Sequence, residues 1–243
     1  VQSLLTSLLC ILLGLFIGYL VLLLINPTGA WGAITNVMKN FLTYSSAKAQ
    51  LKYLGNTLVR TAPLLMCSLS VLFVYKVGLF NIGAPGQYLI STMVTLMVAL
   101  SIPSESVPVG VIWVLAFLAG CLSGALWGAI PGLVKALLNI NEVLACIMTN
   151  WIAASLVTWL FDISNLKNMV EGNKTGYVYK TTYNGVATSK MGLDKLFPGS
   201  QVNGGIIIAI IMAILVYIML EKTTFGYELK ACGANRHAAR YAG

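Results

Sequence analysis

Six runs of apolar residues, separated by polar punctuation, set the plan of this chain. A helix that crosses the hydrocarbon core needs about 20 mostly apolar residues. On that measure spans are read at about 4–25, 55–75, 87–100, 109–138, 141–161 and 205–220. The pattern predicts an all-α polytopic membrane protein with about six transmembrane helices. Asn26-Pro27 ends the first span, in which Gly14 and Gly18 are spaced for close helix packing. In the polar stretch that follows, Trp31, Ile34, Val37, Met38 and Phe41 suggest an interfacial amphipathic helix before the second span. That second span carries Arg60, expected to snorkel toward outer headgroups, and Pro63, expected to kink it. In the fourth, Gly120, Gly124 and Gly128 recur at i, i+4 and i+8, so a neighbouring helix can approach that face closely. Pro131-Gly132 is expected to kink or end it. A polar loop over 162–204 and a polar segment over 222–243 flank the sixth span.

Composition supports the class. Of 243 residues, 58% are hydrophobic and only 9% charged, where a soluble domain has about 25% charged; mean hydropathy is +0.85. The net charge of +8 comes from scattered residues. A nucleic-acid binder would gather them on one face, so no nucleic acid is expected. Scattered charges at span ends act instead as topology signals in the bilayer. Lys76, Lys135, Lys222, Lys230, Arg236 and Arg240 lie in short segments on one side, whereas the lysines of the other side are diluted in long loops. Both termini are therefore expected in the cytoplasm, the chain in the plasma membrane and the loop over 162–204 outside. The five cysteines have no metal spacing and read as small hydrophobes. Residues 4–25 are too long for a signal core and lack a basic start and a cleavage site, so they read as a true first span.

The chemistry is sparse. There is no Gly-Lys pair, hence no Walker A loop for ATP. One histidine, His237, leaves no histidine-based metal site or triad. An enzyme has little to stand on, and no metal or cofactor is expected in this chain. Polar groups inside spans are the positive signal, since they tend to face a cavity or the bundle interior. Glu142 and Asn150 share a stripe with Asn139, Cys146 and Thr149 in the fifth span. They are either pathway-lining groups or a helix cap with inter-helix hydrogen bonds. Between the second and third spans, Gly78, Gly83, Pro85 and Gly86 make a continuous helix from 75 to 94 untenable. Broken helices in lipid must be buried by protein or line a wet cavity, and transporters use them to bind polar solutes. Asn81 and Gln87 in this break can bond a small polar substrate, or the break is a tight turn with Asn81 as a cap. Substrate-pathway candidates are thus Asn81, Gln87, Glu142 and Asn150.

Three blocks resemble one family. "GLFNIGAPGQ" (78–87), "NINEVLACIMTNWIA" (139–153) and "TTFGYELKACGANRHAARYAG" (223–243) are similar to the permease subunits of ABC importers for branched-chain amino acids, ribose and nucleosides. They look most like the nucleoside (guanosine and purine nucleoside) branch, for which Asn81, Gly83, Gly86 and Gln87 form the signature. Pro85 departs from the acid that many members have there, Lys230 from an arginine and Cys232 from a valine. The resemblance implies a type II ABC importer-like permease, here a piece of a longer chain. It implies transport of nucleosides or related ribose-containing solutes by alternating access, a second permease subunit and cytoplasmic ABC ATPase subunits that hold ATP and Mg. It also implies an extracytoplasmic substrate-binding lipoprotein and, for the source, a bacterium. The segment 222–243 is then the coupling segment, with Gly226, Gly233, Asn235, Arg236, Ala238 and Ala239 as candidates for ATPase coupling. An ion-gradient-driven secondary transporter or channel is the alternative; it needs intramembrane carboxylates, and only Glu142 is at hand.

Overall fold

A computed structural model of the chain describes residues 2–39, 44, 46–103, 105–164 and 186–241. Every regular element among them is an α-helix: α1 (Gln2–Ile25), α2 (Ala30–Lys39), α3 (Ala47–Lys76), α4 (Ala84–Ser101), α5 (Val109–Leu138), α6 (Glu142–Ile163), α7 (Leu193–Leu196), α8 (Gly205–Lys222), α9 (Thr224–Ala234) and α10 (Arg236–Tyr241). Six of them, α1, α3, α4, α5, α6 and α8, are long and apolar enough to cross a membrane. The chain is a multi-pass membrane protein. Residues 165–185 of the loop over 162–204 lie outside the described residues.

The described helices group into two units, Val1–Thr57 with Asp194–Gln201, and Leu58–Leu193 with Val202–Gly243. In the first, Asn26 turns the chain after α1. Its Oδ1 accepts from Gly29 N at 3.1 Å and Thr28 Oγ1 at 2.9 Å, and Tyr19 meets the Trp31 ring of α2 edge to face at 6.0 Å. Helix α3 starts at Ala47, eight residues before the expected span. Its polar entry, "AKAQLKYL", is built of strong helix formers, so the helix extends past the apolar stretch. Pro63 sits inside α3 without ending it. Gly55 is buried where a Cβ would meet Ser200 Oγ at 2.6 Å, and Gln201 N donates to Asn56 Oδ1 at 2.9 Å.

In the second unit the core is α4, α5 and α6. The glycine stripe of α5 takes the polar stripe of α4 head to tail: Gly120 faces Thr95, Gly124 faces Ser91 and Gly128 faces Gln87. Without Cβ atoms the α5 backbone comes within contact of these side chains, the close approach expected of small residues in lipid. Ile90, Met93, Ala153 and Phe161 form a buried cluster on the other side of α4, with Trp127, Leu156 and Val157 packed around it. Helix α5 does not end at Pro131 but runs on to Leu138. There Asn139, at φ 53°, closes it by donating its N–H to Lys135 O. The chain after α8 holds two further helices, α9 and α10. Thr223 caps α9 by accepting from Gly226 N at 3.1 Å, and Asn235 caps α10 by accepting from His237 N and Ala238 N, each at 3.0 Å.

Candidate functional site

The break between α3 and α4 is built residue by residue. Gly78 takes φ +79° just past the end of α3. Asn81 is buried, and its Oδ1 accepts from Gly83 N at 2.9 Å, a local turn that hands the chain to Gly83, the cap of α4. Its Nδ2 donates to Ser70 Oγ at 3.1 Å, and the Cys146 thiol lies 3.9 Å from Oδ1. Pro85 sits in the first turn of α4, where its missing N–H is harmless.

Asn150, on α6, reaches across to the same turn. Its Oδ1 accepts from Gly86 N and its Nδ2 donates to Ile82 O, both at 2.9 Å. A Cβ on Gly86 would lie 2.6 Å from Asn150 Oδ1, so this approach requires glycine. Gln87 points into the space left by two glycines: a Cβ on Gly128 would meet its Nε2 at 3.0 Å, and one on Gly83 at 3.5 Å. The Gln87 amide makes no hydrogen bond among the described residues. Near Gly86, the indole N–H of Trp127 is buried without an acceptor among the described residues.

Glu142 opens α6 just after the cap residue Asn141, which accepts from Val143 N at 2.9 Å. It forms a half-exposed ion pair with Lys135 at 3.0 Å. A cavity of about 390 Å³ separates Glu142 from the break and is lined by Tyr75, Gly78, Leu79, Phe80, Glu142 and Gly233. The three sequence blocks therefore meet at one place. A Cβ on Gly233 would strike Lys76 O, and one on Gly78 would lie 2.9 Å from Gly233 O. Gly226 lies against the carbonyls of Met219 and Leu220 in the α8–α9 turn. Lys230 ties α9 back to Glu221 at 2.9 Å. On α10, Arg236, Ala238 and Arg240 are exposed and Ala239 is half-buried. No group of three His, Cys, Asp or Glu among the described residues can hold a metal ion.

Residues 53–243, which hold all three blocks, match the family described as the permease component of branched-chain amino acid transport systems. The chain belongs to this family. Over 242 residues, all of this permease, it is 33% identical to a nucleoside ABC transporter permease protein of Lactococcus lactis and 31% identical to a guanosine ABC transporter permease protein of Bacillus subtilis. A glucose ABC transporter permease protein of Haloferax volcanii is 30% identical over 197 residues, 78% of this chain and 50% of that protein. The permease spans 64% and 65% of the length of the first two relatives. No solved structure matches it.

Of the candidates read from the sequence, the permease brings Asn81, Gly83, Gly86, Gln87 and Asn150 into one cluster. Glu142 and Gly233 instead line the cavity with Gly78, Leu79 and Phe80. Sequence reasoning passed over Trp127 and Ser70, and placed Cys146 on the stripe of α6 without its contact to Asn81. Trp127 stands in an apolar run, and only its place between Gly124 and Gly128 on the close-packed stripe marks it.

Proposed function

We propose that this permease is the membrane-spanning subunit of an ATP-driven ABC importer that moves nucleosides, or related ribose-containing solutes, by alternating access. The observation that carries the reading is the backbone contact of Gly233 with the turn at Lys76–Gly78. It joins the segment expected to meet a motor directly to the break at the start of α4. ATP and Mg belong to separate cytoplasmic ABC ATPase subunits, for which the exposed Arg236 and Arg240 offer a docking face. A second permease subunit completes the pore, and an extracytoplasmic lipoprotein delivers the solute. Two relatives are named for nucleosides or guanosine and a third for glucose, so the solute is set by the site rather than by the family. In the pathway Gln87 is the group with an unspent amide. Asn81 and Asn150 act by holding the backbone around it. Glu142, paired with Lys135, shapes the mouth of the cavity rather than carrying a coupling ion.

The test is reconstitution of the full-length permease in liposomes with and without the ATPase. Nucleoside uptake that needs the ATPase and ATP is expected. Uptake by the permease alone, driven by an ion gradient, would overturn the proposal. In the working complex, Gln87→Ala is expected to cut uptake while the ATPase stays bound.

A further inference from the structure

Asn150 occupies the place of one backbone hydrogen bond. In an unbroken helix the Gly86 N–H donates to the carbonyl four residues back, on Ile82. Here the carboxamide of Asn150 lies between them, accepting from Gly86 N and donating to Ile82 O, each at 2.9 Å. A side chain inserted into the helical ladder in this way is a recognised cause of a local break. If Asn150 withdraws, the two backbone groups are each other's natural partners. The start of α4 then lengthens toward Ile82 and leaves neither group orphaned.

A second observation supplies the other partner. The Trp127 N–H is buried and has no acceptor among the described residues, a condition that costs free energy in any protein interior. Asn150 Oδ1 and Trp127 Nε1 border the same point: a Cβ on Gly86 would lie 2.6 Å from the first and 3.4 Å from the second. We propose that Asn150 and Trp127 form a two-position latch. In one position Asn150 bridges the break. In the other, Gly86 bonds Ile82 directly and Asn150 Oδ1 takes the Trp127 N–H. Each position makes two hydrogen bonds from these groups and leaves two N–H groups unmet, counting both hydrogens of the Asn150 amide, so the two lie close in free energy. A modest bias from elsewhere in the complex then shifts the population. Trp127 and Asn150 are positioning residues: they act on transport through the turn that carries Gln87. The latch rests on the reading of an alternating-access importer.

The test follows the indole resonance of Trp127 in the full-length permease assembled with its ATPase, assigned by its loss in Trp127→Phe. The Trp127 N–H proton is expected to move downfield when ATP is trapped in a hydrolysis-deficient ATPase, and to stay still in Asn150→Leu. In uptake assays Trp127→Phe and Asn150→Leu should each lower transport roughly tenfold, the scale of one lost hydrogen bond. The double variant should be no worse than the poorer single. Trp127→Phe keeps the ring and its packing, so its outcome stands even if Asn150→Leu fails to assemble. A resonance that does not respond to ATP, or losses that multiply, would overturn the latch while ATP-dependent uptake by the wild type leaves the importer reading intact. An assembly with no ATP-dependent uptake overturns both.

Discussion

Gly78 and Gly233 meet backbone to backbone. A Cβ on either would press on the other's main chain or on that of its neighbours, so the end of α9 rests on the turn out of α3 with no side chain between them. Gly233→Ala is expected to push α9 off this seat. In the importer assembly proposed above, uptake should fall while ATP hydrolysis persists, measured side by side on one preparation. Equal loss of both activities would show that the contact serves assembly rather than coupling.

Gly78 also holds a left-handed backbone, with φ +79°. Gly78→Ala adds a conformational cost of about 1–2 kcal/mol to the steric one and should lower the thermal midpoint in detergent. Gly132, inside α5 with open space where its Cβ would stand, is the control. Gly132→Ala should leave the midpoint unchanged or raise it, since alanine is favoured over glycine in a helix by about 1 kcal/mol.

The facing stripes of α4 and α5 predict a rescue. A Cβ on Gly124 would collide with Ser91 Oγ, while Ser91 Cβ stands at an ordinary 3.6 Å. Gly124→Ala alone should destabilise by about 1–3 kcal/mol, the range for overpacking. Ser91→Ala in the same chain removes the obstructing atom and should restore most of the loss, read from unfolding midpoints of the two singles and the double.

The Lys135–Glu142 pair is half-exposed, and such pairs contribute about 0–1 kcal/mol. Glu142→Gln should therefore shift stability by no more than that and leave most of the uptake rate. A collapse of transport in an assembled complex would place Glu142 in the solute's path after all.

What could be read from the sequence was whatever depends on local composition. The apolar runs located all six long helices, and the i, i+4, i+8 glycines of α5 gave the face that receives α4. Helix α3 was cut short because its entry is polar although made of helix formers. Pro131 did not stop α5, since a proline deep in a packed span costs one bond that its surroundings can absorb. Helix α9 was not read from the sequence: its Gly226 and Gly233 are poor helix formers and serve here as contact points. The site's polar residues were found by their cost in lipid; their partners were not. Asn150 lies 64 residues from Gly86 and 68 from Ile82, and no periodicity along the chain encodes that meeting. Trp127 looked like any other large apolar residue until its N–H proved to lack an acceptor.

The distance in sequence between Gly86 and Asn150 also sets an order of birth. Chains emerge from the ribosome N-terminus first, so α4 and α5, joined by a short turn, can pair through their stripes before α6 has been made. At that stage the Asn150 side chain, which bonds both Gly86 N and Ile82 O in the finished fold, does not yet exist. The bridge at the start of α4 can therefore close only after α6, the later helix in the chain, has been made.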